Sequence, residues 1–225
     1  MRPPERFLFR HGIERVVRPL TGGARNHVWL VERGGVRFVA KSTRRSAAAL
    51  WWLHRLEPAL REAGLRTALP IVARGRIVLE GWTLEHFISG RPAGVQDIAA
   101  LRPALLHLHR LTRNIPQRPG FCAARELPRV FRSGDAVLPS RSGPLVKTLR
   151  ALPQGPHGAV HAELNPSNII LTDTGPCLID WDEARRDLAL FDQAPSQHAS
   201  ARAAFEVASC WQVEPRRTIA LARRA

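Results

Sequence analysis

One segment, residues 160–182, constrains the fold of this chain more than any other. It reads Val160-His161-Ala162-Glu163-Leu164-Asn165-Pro166-Ser167-Asn168-Ile169-Ile170-Leu171, then Thr172-Asp173-Thr174-Gly175-Pro176-Cys177, then Leu178-Ile179-Asp180-Trp181-Asp182. Strand-length apolar runs are separated by turn chemistry at Asn165-Pro166 and Asp173-Thr174-Gly175. A first short strand therefore ends in a polar loop, a second leads into a tight turn, and a third terminates on an acid. That order can gather a base, an amide and a carboxylate around one metal-bound phosphate group.

Composition narrows the setting. A chain of 225 residues that is 44% hydrophobic can bury a real core, as one domain or two small lobes, and wholesale disorder is excluded. Cys122, Cys177 and Cys210 are odd in number and widely spaced, with no CxxC pair, which points to a reducing compartment. The apolar stretch near the N-terminus is too short for a signal peptide, and no run approaches the ~18 apolar residues of a membrane helix. A cytoplasmic protein with no membrane partner is expected. The net charge of +15 is carried almost wholly by arginine, since only Lys41 and Lys147 are lysines, and it is scattered rather than gathered into a long run. The skew fits codon bias without any partner, and attraction of polyphosphate can add to it. A nucleic-acid partner is not expected, because the six tryptophans do not interleave with basic strand positions and tyrosine is absent.

The first third of the chain reads as a small strand-rich lobe. Runs 26–31 and 36–41 are joined by Glu32-Arg33-Gly34-Gly35, a hairpin signal. Ser46 to Leu60 has helical spacing at Ala49, Leu53, Leu56 and Leu60 and stops at Gly64. Residues 68–73 and 76–79 read as two more strands around Gly75, and Glu80-Gly81-Trp82 as a connector to the second lobe. Asp97 is placed to cap a helix with the apolar face Ile98, Leu101, Leu105 and Leu108. Residues 113–144 read as loop with a short helix. Residues 199–210 and 215–224 read as helices. The expected domains are a nucleotide-binding lobe over 1–80 and a catalytic and acceptor-binding lobe over 81–225.

Candidate chemistry follows from residue types. Lys41 ends a strand that follows Thr21-Gly22-Gly23-Ala24-Arg25-Asn26, and glycines such as Gly22 and Gly23 let backbone approach phosphates while an ammonium holds their charge. Asn168 and Asp180 offer the hard oxygen donors that Mg takes, with room left for water and phosphate. Glu163, in the loop five residues before Asn168, could orient or deprotonate an acceptor hydroxyl. His161 is placed to brace that loop by hydrogen bonding more than to move protons.

On these residues the chain resembles the aminoglycoside phosphotransferase and choline kinase-like superfamily, small-molecule relatives of the protein kinases. Its pattern, His-Gly-Asp-Leu-His-Pro-Gly-Asn and then Ile-Asp-Trp-Asp or Glu, is met here by His161-Ala162-Glu163-Leu164-Asn165-Pro166-Ser167-Asn168 and Ile179-Asp180-Trp181-Asp182, and the match runs on to Asp192. The resemblance implies an α+β, protein kinase-like, two-lobed fold: a small β-rich N-lobe and a mostly helical C-lobe with short catalytic strands. It implies ATP and Mg as cofactors, with Lys41 on the α- and β-phosphates, Asn168 and Asp180 on Mg, and Glu163 as catalytic base. Adenine would lie near Glu80 and Trp82. Asp182 belongs either to the acceptor side or to the loop's own stability.

The chain departs from the pattern in three ways. Glu163 stands where the family has Asp, Ala162 and Asn165 also differ, and the glutamate that pairs with the strand lysine is represented only by Glu57 or Glu62. Third, the chain is short for the family around 113–158 and at the C-terminus, where acceptor pockets are built. The expected function is ATP- and Mg-dependent phosphotransfer to a hydroxyl of a small molecule. A polycationic acceptor fits a +15 chain poorly unless Glu163, Asp182, Glu183 and Asp187 form a local acidic pocket. The alternative is a degenerate kinase fold that binds nucleotide or a protein partner without efficient catalysis.

Overall fold

The computed structural model describes residues 1–20, 26–130, 139–193, 198–210 and 221. In chain order its elements are α1 (Glu5–Arg10), β1 (Arg15–Pro19), β2 (Val28–Arg33), β3 (Val36–Ser42), α2 (Ala47–His54), α3 (Glu57–Glu62), β4 (Arg66–Thr67), β5 (Trp82–His86) and β6 (Arg91–Pro92). There follow α4 (Val95–Ala100), α5 (Arg102–Leu111), α6 (Leu127–Val130), α7 (Pro139–Arg150), β7 (His157–Val160), β8 (Ile169–Thr172), β9 (Gly175–Leu178), β10 (Arg185–Leu188) and α8 (Ala199–Cys210). The architecture is the expected protein kinase-like one, with a sheet-based N-terminal lobe and a helical C-terminal lobe. By internal contacts the chain forms two compact units, Met1–Ala93 with Pro166–Trp181, and Gly94–Asn165 with Asp182–Ala225.

The first unit is built on an antiparallel sheet of order β1-β2-β3-β5. Its central hairpin closes through Gly34 and Gly35, whose φ values of 54° and 75° are those of a two-residue turn matched to strand twist. Phe7 from α1 packs with Val31, Phe38, Ala40, Trp82 and Leu84 to form a dry core. The expected strands at 68–73 and 76–79 are replaced by two consecutive turns. Ala73 and Arg76 exchange backbone hydrogen bonds of 2.9 and 3.0 Å across Arg74-Gly75, and Leu79 and Trp82 exchange two of 2.9 Å across Glu80-Gly81. All four central residues have positive φ, so each X-Gly pair closes a two-residue turn. Glu80-Gly81 is therefore a turn within this lobe, and Trp82 opens the fourth strand of its sheet.

A second sheet in the same unit has the order β4-β9-β8-β6. The β8–β9 hairpin from the 160–182 segment forms its centre, with Thr172 opposite Gly175 at the turn. The helix expected over 46–60 divides into α2 and α3, because Pro58 near the start of α3 has no N–H with which to continue α2. Ser46 caps α2, its hydroxyl accepting from the Ala49 amide at 3.2 Å.

The second unit opens on α4 and α5. Asp97 lies in the first turn of α4 and accepts from the Gly94 amide at 2.7 Å, while Pro103 starts a separate α5. Ile98, Leu101, Leu105 and Leu108 are buried, as their spacing predicts. A core of Leu127, Leu145, Leu149, Val160, Leu188, Phe191, Ala204 and Val207 gathers α6, α7, α8 and the two-stranded β7–β10 ladder. Among the described residues of 113–144, α6 and the start of α7 are helical. The helix expected over 215–224 lies, apart from Leu221, outside the described residues. Among the described residues no helix is long and apolar enough to cross a membrane.

Trp82 is 1% exposed, so its replacement leaves a large void that the sheet cannot close. Trp82→Ala should cost about 3–5 kcal/mol in urea denaturation without any ligand. A loss below about 1 kcal/mol would remove Trp82 from the core.

Candidate active site

Lys41 lies on β3, held on both sides by the ladders to Val28 and Thr83. Its side chain is buried, and Nζ donates to Asp180 Oδ1 at 2.5 Å across 139 residues of sequence. Asp180 follows β9 with a φ of 61°, a left-handed conformation that costs a non-glycine residue roughly 1–2 kcal/mol. Its neighbours fix it there. Trp181 is buried with its indole N–H directed to the Leu178 carbonyl at 3.4 Å, and the Ile179 amide donates to the Asn168 carbonyl at 2.9 Å. Asn168 itself is buried at the end of a single 3-10 turn, Pro166–Asn168.

The first unit thus contains Lys41, Asn168 and Asp180, with the lysine bonded to the acid and the amide residue tied to the strand that carries it. Asn168 and Asp180 are an amide and a carboxylate, hard oxygen donors that fit Mg while leaving positions for water and phosphate oxygens. Among the described residues no group of three or more His, Cys, Asp and Glu side chains could hold a metal by itself. Gly22 and Gly23 lie outside the described residues. Glu80 is an exposed turn residue 3.7 Å from an Arg6 guanidinium nitrogen, and Trp82 is a core residue. Glu57 faces solvent on α3, where it accepts from Arg61 at 3.4 Å.

In the second unit the loop after β7 carries His161 and Glu163. It is fixed by a residue to which the sequence reading gave no role, Asp192. The Asp192 carboxylate accepts from the His161 amide at 3.0 Å, the Ala162 amide at 2.9 Å and His109 Nε2 on α5 at 2.9 Å. Burial pushes its pKa up, but the hydrogen bond and charge of His109, the charge of His161 and the Ala162 amide together hold it below the ordinary aspartate value. The available signal was its place at the end of Leu188-Ala189-Leu190-Phe191, since an acid closing an apolar run must bring donors with it when buried.

Ala162 has a φ of 71°, a conformation that favours glycine, and it stands at the glycine of the family pattern. Asn165 Nδ2 donates to the Glu163 carbonyl at 3.1 Å, so the Glu163 backbone is held at its carbonyl. His161 is fully buried. Asp187 is not available to an acidic pocket. It is fully buried, accepting from Arg185 Nε at 2.8 Å and the Ala124 amide at 3.0 Å. Arg118, also buried, donates from Nη1 to the Asp182 and Ala184 carbonyls, each at 2.9 Å, and so fixes the chain beyond the motif. The Cys122 and Cys177 thiols are pushed up in pKa by burial, which leaves neither as a candidate nucleophile.

The family model "Phosphotransferase enzyme family" matches residues 16–217. No curated protein matches the chain in sequence. Solved structures do resemble its fold. An apo thermostable mutant of aminoglycoside phosphotransferase APH(4)-Ia superposes with a TM-score of 0.64 at 11% identity, covering 96% of this chain and 94% of its own. Choline kinase LicA from Streptococcus pneumoniae gives 0.61 at 15% identity, with coverages of 96% and 94%. Amicoumacin kinase hAmiN, in complex with AMP-PNP, Ca2+ and Ami, gives 0.61 at 16% identity, with coverages of 98% and 77%.

Two expectations follow for the anchored loop. Asp192 has a depressed pKa in the folded state, so its contribution to stability is complete above the unfolded value near 3.8 and is lost as pH falls through the lower folded value. Asp192→Asn should cost about 3–5 kcal/mol at neutral pH and flatten the acid limb of a urea-midpoint series, because a buried pair loses one partner. Ala162→Gly should stabilise the fold by about 1 kcal/mol by relieving a left-handed alanine. A destabilised Ala162→Gly protein would contradict that conformation.

Proposed function

Because the chain belongs to the phosphotransferase enzyme family, we propose that it transfers the γ-phosphoryl group of ATP, with Mg, to a hydroxyl group of a small molecule. The observation that carries this reading is the 2.5 Å bond between Lys41 Nζ and Asp180 Oδ1. It joins the strand lysine to the acid at the end of β9, beside the buried Asn168. Lys41 would hold the α- and β-phosphates by charge. Asn168 and Asp180 would hold Mg, which when bound neutralises charge on the phosphate oxygens.

Glu163 would take the proton of the acceptor hydroxyl, or align it, as the oxygen–phosphorus bond forms and the bond to ADP breaks. His161 and Asp192 act on this step only through the loop, as positioning residues. Nucleotide binding is assigned to the sheet-bearing unit and acceptor recognition to the helical one. Asp187 is buried against Arg185, so the acid supply for a polycationic acceptor is reduced and a neutral or anionic hydroxyl compound fits better.

A second reading, a kinase fold that binds nucleotide or protein without efficient transfer, draws on Glu163 and on the solvent-facing Glu57. A glutamate stem is one methylene longer than aspartate, and misplacing a catalytic group by about 1 Å can cost on the order of a hundredfold in rate.

Thermal shift with ATP and Mg tests the nucleotide site, and turnover of an acceptor then separates the readings. Saturating ATP and Mg together should raise Tm by about 5–10 °C, ATP alone should do much less, and Asp180→Ala should abolish the difference. No Mg-dependent rise in the well-folded protein would defeat the ATP-dependent reading. Where turnover of an acceptor is found, Glu163→Asp should change kcat with KM for ATP nearly constant. A higher kcat marks Glu163 as a poorly placed base, and a lower one marks a loop built around the longer side chain.

A further inference from the structure

Away from Lys41, Asn168 and Asp180, the first unit has a hollow lined by positive charge. Arg6 and Arg10 of α1, His11 just beyond it, and Arg74 and Arg76 of the 73–76 turn line one small hollow. We propose that this pocket binds a phosphate dianion, free or as the monoester of a small metabolite.

Four exposed arginines line one hollow. Glu80 reaches Arg6 at 3.7 Å. Such a set repels itself, and a concave wall of low dielectric concentrates the positive potential. An anion relieves both effects. The arginines are placed by backbone geometry. Arg6 and Arg10 are one helical turn apart and share a face of α1, while Arg74 and Arg76 project from a turn closed by paired backbone hydrogen bonds of 2.9 and 3.0 Å.

The His11 ring is 7% exposed and its Nδ1 is wholly buried, so the ligand is left to the four guanidinium groups.

Phosphate fits this donor set better than a carboxylate does. Its three terminal oxygens can engage several guanidinium forks at once, and its double charge balances more than one of them.

The test is isothermal titration calorimetry of the full chain with inorganic phosphate, glycerol 3-phosphate and glycerol, at an ionic strength fixed with chloride. Binding of the two phosphates but not of glycerol is expected. Tighter binding of glycerol 3-phosphate identifies the ligand as an ester, and equal binding identifies free phosphate. Arg74→Asn and Arg76→Gln should each weaken binding about tenfold or more, through loss of a charge-assisted bond. Both leave the turn intact, Asn being suited to the left-handed position, and an unchanged urea midpoint checks this. No heat at millimolar phosphate, or affinity unmoved in both variants, would overturn the proposal.

Discussion

The second unit is organised around a carboxylate with no access to water. Buried and ionised, Asp192 would be prohibitively costly without donors, and three donors converge on it: two consecutive backbone amides and an imidazole. Each comes from a different structural requirement. His109 lies on α5, which is there because Leu101, Leu105 and Leu108 bury one face. The His161 and Ala162 amides are free to point inward because β7 has ended at Val160. The peptide planes at 161–162 are therefore fixed, and with them the direction in which the chain leaves toward Glu163.

The first unit solves a similar problem with opposite chemistry. Here the buried group is an ammonium, and its counter-charge comes from a residue 139 positions away that must adopt a left-handed backbone to supply it. The β8–β9 hairpin makes this possible. With Ile169 opposite Leu178, the next pair outward is Asn168 and Ile179, whose backbone bond ends the ladder immediately before Asp180. Trp181 then closes the turn by burying its indole. The position of Asp180 follows from strand register, which a one-residue slip would destroy.

Much of this was legible in the sequence because it was local. The Gly34-Gly35 hairpin, the α4–α5 apolar face and the strand-turn-strand reading of 169–178 each depend on a short period and a few turn residues. The failures were equally physical. Gly75 and Gly81 both signalled turns, yet the Arg74 and Glu80 partners needed to make two-residue hairpins are not typical left-handed residues. The run from 68 to 79 consequently read as strands and Glu80-Gly81-Trp82 as a connector. Pro58 and Pro103 divide helices whose apolar spacing continues through the break. Asp187 and Asp192 look like surface acids in a linear chain, and only the fold brings Arg185 and His109 to them.

The departures from the family pattern bear on one another. Ala162 keeps a conformation suited to glycine, and Asn165 bonds the backbone carbonyl of Glu163. The positions on either side of Glu163 are thus tied down independently, one by Asp192 and one by a side chain that the pattern lacks. Left-handed non-glycine residues persist only where their surroundings over-determine them. Two such residues, Ala162 and Asp180, bracket the motif, and both retain the contacts that hold them. A loop drifting without constraint would shed that strain by relaxing one of them. Its retention, together with the Asn165 bond, shows a loop whose backbone is anchored at Ala162 and at the Glu163 carbonyl.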